Sequence, residues 1–144
     1  MVTEEKKEYS VRCHCGSVKG KFYCDKNLVL AWNCNCSDCS MRGNVHIVVS
    51  EQDFSLDLDY GKTFENLTIL YEWGTKVAKR RFCKTCGILP WYTPRSNPDG
   101  VALTLKCIDW GNGEKPRVDM KFFDGINWEE SFAACKISEE SQPK

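Results

Sequence analysis

Cys83-Lys84-Thr85-Cys86-Gly87 is the last of three cysteine clusters in this chain, after Cys13-His14-Cys15-Gly16 and Cys34-Asn35-Cys36-Ser37-Asp38-Cys39. Seven of the ten cysteines lie in these clusters, at spacings typical of metal ligands. A structural zinc site takes four ligands in a tetrahedron, whereas a catalytic zinc site leaves one position open. Seven thiolates therefore predict two Zn²⁺ ions per chain, one in a closed site and one in an open site.

Composition limits the class of protein. The length of 144 residues suits one domain. The 20 basic and 20 acidic residues give zero net charge, which argues against nucleic acid as a partner because that requires a basic surface. The amino end lacks the apolar core of a signal peptide, and no apolar run approaches the roughly 18 residues that span a bilayer. We therefore expect no membrane partner and a cytoplasmic location, with the nucleus as the alternative compartment.

The expected compartment bears on what the cysteines do. A cytosolic chain keeps its thiols reduced and uses them for metal binding or chemistry, which favours metal over a disulfide framework. Two cysteines one residue apart on a strand point the same way, yet a bridge between them closes a strained ring. Disulfides between different clusters stay open as the alternative.

The rest of the chain is dominated by short runs that alternate apolar and polar residues, typical of half-buried strands. Turn signals rich in glycine separate these runs. Many short strands with regular turns predict a mostly β, antiparallel fold. Helix is scarce, with one or two short helical turns expected at residues 37–42 and 127–135. The polar ends, residues 1–8 and 137–144, are expected to be frayed.

The first predicted metal site combines the pair Cys13 and Cys15 with the pair Cys83 and Cys86. The second pair resembles a zinc knuckle, two thiolates on a tight turn that Gly87 lets bend back. A metal bound by both pairs would hold together two parts of the β structure that are far apart in the sequence. The alternative is a redox dithiol of the thioredoxin kind, but no helical period follows Cys86 as that motif requires.

The second predicted site uses Cys34, Cys36 and Cys39. Three thiolates on Zn²⁺ leave a net charge near minus one, so the metal is a poor Lewis acid and ill suited to making hydroxide. It is better suited to binding a substrate thiol and holding it as a thiolate. The alternative is that a fourth protein ligand closes the site, and the candidates are His14, His46, Cys24, Cys107 and Cys135.

These clusters resemble the motifs of the glutathione-dependent formaldehyde-activating enzyme family. The similar segments are Cys13-His14-Cys15-Gly16-Ser17-Val18, Cys34-Asn35-Cys36-Ser37 with Cys39, and Phe82-Cys83-Lys84 with Cys86-Gly87. The carboxyl-terminal third is more similar to the centromere protein V-like branch of that family. The segments that carry this second resemblance are Tyr92-Thr93-Pro94-Arg95-Ser96-Asn97-Pro98, Cys107-Ile108-Asp109 and Asp124-Gly125 with Asn127-Trp128-Glu129.

The resemblance implies a β-tent fold, a small zinc-stapled twisted antiparallel β-sandwich, formed by residues 9–136 as a single zinc-binding domain. It implies a structural zinc on Cys13, Cys15, Cys83 and Cys86, and a second zinc on Cys34, Cys36 and Cys39 near which glutathione binds. The implied reaction adds the thiol of glutathione to a small aldehyde, formaldehyde by family default, to give S-(hydroxymethyl)glutathione. An enzyme of this kind is classed as a carbon–sulfur lyase.

Substrate contacts are predicted from the chemistry of glutathione, which carries two carboxylates that a guanidinium can clamp. Arg42 follows the open cluster and Arg95 lies in a proline-rich loop, although a single arginine is more often a solvated surface charge. Trp91 is a candidate pocket wall, with Tyr92 and Trp128 alongside it, against the alternative that these aromatic residues are core.

Two other motifs have weaker interpretations. Lys79-Arg80-Arg81 is expected to be a solvated basic face rather than a phosphate site. Asp38 is a candidate for assisting proton transfer, on its position beside Cys39 alone.

Two functions follow from these features. The favoured one is an enzyme in which glutathione or another small thiol enters the open metal position and attacks an aldehyde. The alternative is a non-catalytic, zinc-stabilised interaction domain of the centromere protein V type, which requires a fourth protein ligand on the second metal.

Overall fold

The fold of this protein is mostly β, as the alternation predicts. A computed structural model describes residues 5–135 and 137–141. Within these ranges the strands are β1 (Lys6–Arg12), β2 (Lys19–Asp25), β3 (Leu28–Cys34), β4 (Val45–Ser50), β5 (Phe54–Leu56), β6 (Thr68–Tyr71), β7 (Lys79–Cys83), β8 (Trp91–Thr93), β9 (Gly100–Thr104), β10 (Ile108–Asp109) and β11 (Arg117–Phe123).

The strands form two sheets. The first is antiparallel and has the order β10-β1-β2-β5. The second has the order β11-β3-β4-β9-β8-β7-β6 and is antiparallel except at its β11–β3 edge, where the pairing is parallel. The expectation of antiparallel sheets therefore fails at one pair. Parallel neighbours need a long crossover, and most of the chain lies between β3 and β11, so no hairpin restricts their direction.

The seven-stranded sheet buries both faces, and this arrangement positions the functional residues. One face packs on the four-stranded sheet, where Ile47, Leu103 and Trp91 join Val11 and Phe22 in the main core. Alternate residues of the same strands point to the other face. There Val48, Tyr92 and Ala102 form a second small core, and Trp32 packs with the cysteines of the second cluster.

Helical structure is more extensive than the predicted one or two turns, but each segment is short. The described helices are α1 (Ser37–Arg42), α2 (Phe64–Leu67), α3 (Trp128–Cys135) and α4 (Ile137–Ser141), with 3-10 turns at Glu51–Asp53 and Leu105–Cys107. Among the described residues, no helix is long and apolar enough to cross a membrane.

The ends of the described chain are more ordered than the predicted frayed tails. β1 begins at Lys6 and pairs with β2 from that residue, because Lys6 faces Asp25 across the ladder. Ile137 in α4 is buried and packs against the second cysteine cluster, so an apolar contact holds this segment. Residues 1–4, 136 and 142–144 lie outside the described ranges, so the prediction for them stays a prediction.

Candidate metal centres and the cavity beside the second cluster

The first cysteine cluster joins the two sheets. Cys13 follows β1 of the four-stranded sheet, and Cys83 ends β7 of the seven-stranded sheet. The sulfur of Cys15 lies 3.6 Å from that of Cys13 and 3.7 Å from that of Cys83. All four sulfurs, including that of Cys86, lie within 4.8 Å of one another. A tetrahedral ion with metal–sulfur bonds of about 2.3 Å separates its sulfurs by about 3.8 Å, so this cluster can hold such an ion.

Hydrogen bonds from backbone amides stabilise the thiolate form of two of these cysteines. The N–H of Val18 donates to Cys13 Sγ at 3.3 Å, and the N–H groups of Thr85 and Cys86 donate to Cys83 Sγ at 3.4 and 3.5 Å. Burial acts against ionisation of Cys83, but hydrogen bonds from Ser17 and these amides outweigh it and lower its pKa to about 6. The deprotonated form that binds a metal is therefore favoured at Cys83.

The second cluster lies at the junction of β3 and α1. Cys34 is the last residue of β3, Cys36 is the N-cap of α1, and Cys39 lies in its first turns. The N–H of Cys39 donates to Cys36 Sγ at 3.4 Å, so the cysteine replaces the usual Ser or Asp cap. Hydrogen bonds with Cys34 and Cys39 lower the pKa of Cys36, whereas hydrogen bonds with Cys36 and Cys39 raise the pKa of Cys34. All three side chains are buried and their sulfurs lie within 4.8 Å of one another.

No fourth protein ligand completes this cluster within the described residues. No further sulfur, imidazole nitrogen or carboxylate oxygen there shares the 4.8 Å group with Cys34, Cys36 and Cys39. Of the candidates, Cys24 and Cys107 pack in the core between the sheets, and His46 lies on the wall of the adjoining cavity. Three sulfurs can therefore hold one metal ion with a position left for another ligand.

The loop after β11 covers one side of the second cluster. Gly125 lies so close that a Cβ at this position would be 2.5 Å from Cys34 Sγ and 2.8 Å from Cys36 Cβ. Asn35 holds this loop, since its amide donates to Asp124 Oδ1 at 3.1 Å and its carbonyl accepts from the N–H of Ile126 at 3.2 Å. Only a glycine fits where the loop passes the sulfurs.

The open side of the cluster faces a cavity of about 260 Å³. Its walls come from both ends of the seven-stranded sheet and from the start of α3. Aromatic and charged side chains dominate the lining, which includes Trp32, Trp73, Tyr92, Arg80, Arg95 and Trp128. A cavity with apolar walls and a few polar groups is the usual form of a small-molecule site.

Arg80 is the buried charge of this cavity, which corrects the prediction of a solvated basic face. It is 6% exposed, with its guanidinium carbon 4.6 Å from the ring centre of Tyr92. Its Nε lies 3.2 Å from Asp38 Oδ1, and its charge adds to the hydrogen bonds from Cys34 and Cys39 that lower the pKa of Cys36. A cation beside three thiolates offsets part of their negative charge.

Asp38 has a different role from the predicted proton transfer. Its carboxylate accepts from Arg42 Nε at 2.7 Å and from Trp73 Nε1 at 3.2 Å, besides its ion pair with Arg80. The side chain is almost fully buried among these two donors and the Arg80 guanidinium. Asp38 therefore fixes Arg80 and Trp73 in the cavity wall.

Two buried ring nitrogens in the cavity wall, Trp32 Nε1 and His46 Nδ1, have no hydrogen-bond partner among the described residues. Arg80 Nε also has no hydrogen bond there, but it has its ion pair with Asp38. Trp32 and His46 face each other across the β3–β4 ladder, and Trp32 lies two residues before Cys34 on the same face of the sheet. Burial lowers the pKa of His46 to about 4, so its imidazole is neutral at pH 7. A buried polar group without a partner costs free energy, so these two nitrogens point to a missing ligand.

The three predicted substrate contacts have different positions. Arg95 lines the cavity, with its guanidinium 3.7 Å from the ring centre of Trp128 and 2.9 Å from Glu129 Oε1. Arg42 pairs with Asp38 and is not part of the cavity lining. Trp91 is 5% exposed and stacks on Phe64 in the main core, so the core alternative holds for this residue.

Sequence reasoning missed Arg80, Trp32 and Gly125 as parts of the site. The alternation of side chains along β7 would identify Arg80 as a residue of the cavity face. Arg80 and Phe82 share one face of the strand, while Lys79 and Arg81 share the other. Trp32 has the same kind of signal, because it lies two residues before Cys34 on one strand. For Gly125 the sequence contains no signal, since its contact with Cys34 joins residues far apart in the chain.

Comparison with known proteins identifies the family of this chain. The profile of the family described as glutathione-dependent formaldehyde-activating enzyme matches residues 8–124, which contain all three cysteine clusters. The chain belongs to this family. It is also similar to a crystal structure of a Rhodobacter sphaeroides protein, with 28% sequence identity and a TM-score of 0.57. That similarity covers 76% of this chain and 99% of the other.

Proposed function

We propose that this protein is an enzyme that adds the thiol of glutathione to an aldehyde, with formaldehyde as the first candidate. The observation that supports it most is the group of three buried cysteines with no fourth ligand among the described residues, open to a cavity. Family membership supplies the thiol and the aldehyde. In this proposal Cys13, Cys15, Cys83 and Cys86 hold a structural zinc, and Cys34, Cys36 and Cys39 hold a second zinc.

The second site has a donor set suited to thiol chemistry. Cys34, Cys36 and Cys39 would hold a zinc ion, which when bound would lower the pKa of a substrate thiol and favour its nucleophilic thiolate form. Four thiolates and one divalent ion have a net charge of about minus two. Arg80, fixed by Asp38 and by the ring of Tyr92, offsets part of this charge and keeps the site occupied by anionic sulfur.

The unpartnered nitrogens beside the sulfurs suit the oxygen of the aldehyde. As the thiolate sulfur bonds to the aldehyde carbon, the C=O π electrons move to oxygen, and the resulting alkoxide takes a proton from water to become a hydroxyl. The thiol of glutathione releases one proton to water when it ionises, so the number of protons is unchanged over the reaction. Trp32 Nε1–H is a donor at any pH, and it can hold the alkoxide where charge develops. His46, neutral at pH 7, can add a second polar contact to this oxygen.

Glutathione also requires a contact for its carboxylates, and Arg95 can supply one at the rim of the cavity. Its present partner is Glu129, whose side chain is 78% exposed. An exposed ion pair contributes little to stability, so a substrate carboxylate can replace it at low cost. The stacked ring of Trp128 keeps the guanidinium in place during that exchange.

The finer resemblance to the centromere protein V-like branch is compatible with this enzyme. Residues in the segments that carry that resemblance, Tyr92, Arg95, Gly125 and Trp128, line the cavity. A ligand site explains their presence without a chromosomal partner. The interaction-domain alternative requires a fourth protein ligand on the second metal and no affinity for glutathione.

An assay of exchange between free formaldehyde and S-(hydroxymethyl)glutathione tests this proposal. NMR measures the exchange rate in both directions, above the spontaneous rate. We expect the wild-type protein to accelerate it, Cys36→Ser to abolish the acceleration while the domain stays folded, and Cys135→Ser to leave it intact. Cys135 is the matched control because it packs near the second cluster without being part of it. Equal rates for the wild type and Cys36→Ser would exclude the proposal.

A further inference from the structure

The rim of the cavity bears two opposite charges, and the function proposed above uses only the positive one. Arg95 and Glu129 both line the cavity that opens at Cys34, Cys36 and Cys39. Arg95 Nη2 donates to Glu129 Oε1 at 2.9 Å. A few charged or polar groups of this kind fix the orientation of a ligand in a cavity with apolar walls. The negative charge of Glu129 is therefore a feature that still needs a role.

The guanidinium of Arg95 is held by aromatic contacts as well as by Glu129. Its central carbon lies 3.7 Å from the ring centre of Trp128. The Trp128 ring stacks in turn on Phe132, with ring centres 4.7 Å apart and an angle of 10° between the two planes. A guanidinium on an aromatic face loses little further freedom when it binds a carboxylate. Arg95 is therefore a cation in a fixed position before any ligand enters.

Neither charge of this pair is fully used by the other. A guanidinium has five N–H donors, and among the described residues only Glu129 accepts a hydrogen bond from Arg95. Glu129 makes that contact through Oε1, and its side chain is 78% exposed, so its carboxylate is accessible to a second partner. The pair can therefore bind further charged groups without the loss of any other contact within the chain.

A ligand carboxylate without a cation would be disfavoured beside this pair. When it binds Arg95, two carboxylates adjoin one guanidinium, and the two negative charges repel each other. A ligand that has an ammonium group beside its carboxylate removes this repulsion, because the ammonium group can pair with Glu129. The α-amino acid group has both charges on one carbon atom. The rim is therefore complementary to an α-amino acid group rather than to a lone carboxylate.

We infer that Arg95 and Glu129 together bind the α-amino acid end of the substrate thiol, with its carboxylate on Arg95 and its ammonium group on Glu129. The inference rests on the proposed function, because it takes glutathione as the thiol. Glutathione has one such end, in its γ-glutamyl residue, whereas the carboxylate of its glycine has no ammonium group beside it. The γ-glutamyl end then lies at the rim, and the thiol points towards the second cysteine cluster. Glu129 determines specificity for a thiol with a free amino group.

Half of this contact lies outside the region that the family comparison covers. The family profile matches residues 8–124, whereas Trp128 and Glu129 follow at the start of α3. The same first turn contains Glu130, which is also exposed but is not part of the cavity lining. Both glutamates lie at the amino end of the helix, where a negative charge is favourable. Glu130 is therefore a matched control for the charge of Glu129.

Calorimetric titration of the zinc-loaded protein with two thiols tests the inference. Glutathione is compared with glutaryl-cysteinylglycine, which lacks only the α-ammonium group, so the ratio of affinities isolates the contact with that group. We expect the wild-type protein to bind glutathione about threefold to fivefold more tightly, as for an exposed charge pair. Glu129→Gln should remove this preference, and Glu130→Gln should retain it. Equal affinities in the wild type, or a preference that survives in Glu129→Gln, would overturn the inference.

The glycinamide form of glutathione determines which carboxylate Arg95 contacts, because it lacks the glycine charge and keeps the γ-glutamyl end. Arg95→Ala should weaken the binding of glutathione and of this amide by the same factor. An effect of Arg95→Ala that disappears with the amide would assign Arg95 to the glycine carboxylate and overturn the inference.

Exchange rates measured with the same thiols separate this inference from the proposed function. The predicted binding preference without catalysis would contradict the reaction alone. Catalysis without the preference would contradict the inference alone, and a wild-type protein that does not bind glutathione would contradict both.

Discussion

At the scale of single residues, the site depends on side chains whose role is set by their neighbours. Gly125 is the clearest case, because its lack of a side chain leaves space for the sulfur of Cys34. Arg80 is another, since the same residue type on the exposed face of β7 would be a solvated charge. Local sequence could not assign the role of Gly125, because that role depends on a contact between distant segments. For Arg80 the alternation along β7 separates it from Lys79 and Arg81, but its partners come from distant segments.

Gly125→Ala should disrupt the second metal site selectively. The added Cβ would lie 2.5 Å from Cys34 Sγ, so the sulfur or the loop must move. We expect zinc content to fall from two ions per chain to one, with loss of activity and an unchanged circular dichroism spectrum. Gly113→Ala is the control, since its Cβ meets only the flexible end of Lys7. Two zinc ions retained in Gly125→Ala would refute the close contact.

Arg95 and Arg42 make a matched pair for the carboxylate contact. Arg95 lines the cavity, whereas Arg42 pairs with Asp38 outside the lining. Arg95→Ala should raise KM for glutathione roughly fivefold to tenfold with little change in kcat, as expected for loss of a charged contact made equally in the ground and transition states. Arg42→Ala should leave KM almost unchanged. Steady-state kinetics with varied glutathione decides, and an equal effect of both substitutions would argue against the assignment to Arg95.

At the scale of elements, the alternation of residues predicted the β class correctly, and the cysteine spacing predicted which sulfurs come together. Both are local patterns, and a strand or a knuckle is a local structure. The parallel pairing of β11 with β3 was not predictable, because it is set by packing between segments far apart in sequence. The ordered α4 was missed for the same reason, since Ile137 is held by a tertiary contact with the second cluster.

The first cluster should act as the connection between the two sheets. It joins the turn after β1 to the end of β7, and metal binding at such a site contributes to folding free energy. Cys83→Ser should therefore lower the free energy of unfolding by about 3 kcal/mol or more, whereas Cys36→Ser should lower it much less. Urea unfolding of both variants, with zinc content measured in parallel, provides the comparison. Equal losses would show that the second cluster is as structural as the first.

At the scale of the whole molecule, the two clusters lie in different places and suit different tasks. The closed group of four sulfurs lies between the sheets, and the group of three lies on the opposite face of the seven-stranded sheet, at the cavity. In the proposed function, the odd number of clustered cysteines reflects a position on the second metal that is left for the substrate thiol. The buried Arg80 and the unpartnered nitrogens of Trp32 and His46 surround that position with groups suited to a thiolate and an aldehyde oxygen.

The most direct test of this account is the absorption of cobalt-substituted protein during titration with glutathione. Charge-transfer bands count sulfur ligands, so entry of the glutathione sulfur should raise the band by about one seventh, from seven sulfurs to eight. S-methylglutathione, which has no free thiol, should cause no rise. The same titration of Cys36→Ser should be flat. A band that glutathione leaves unchanged in the wild-type protein would contradict the open thiol site.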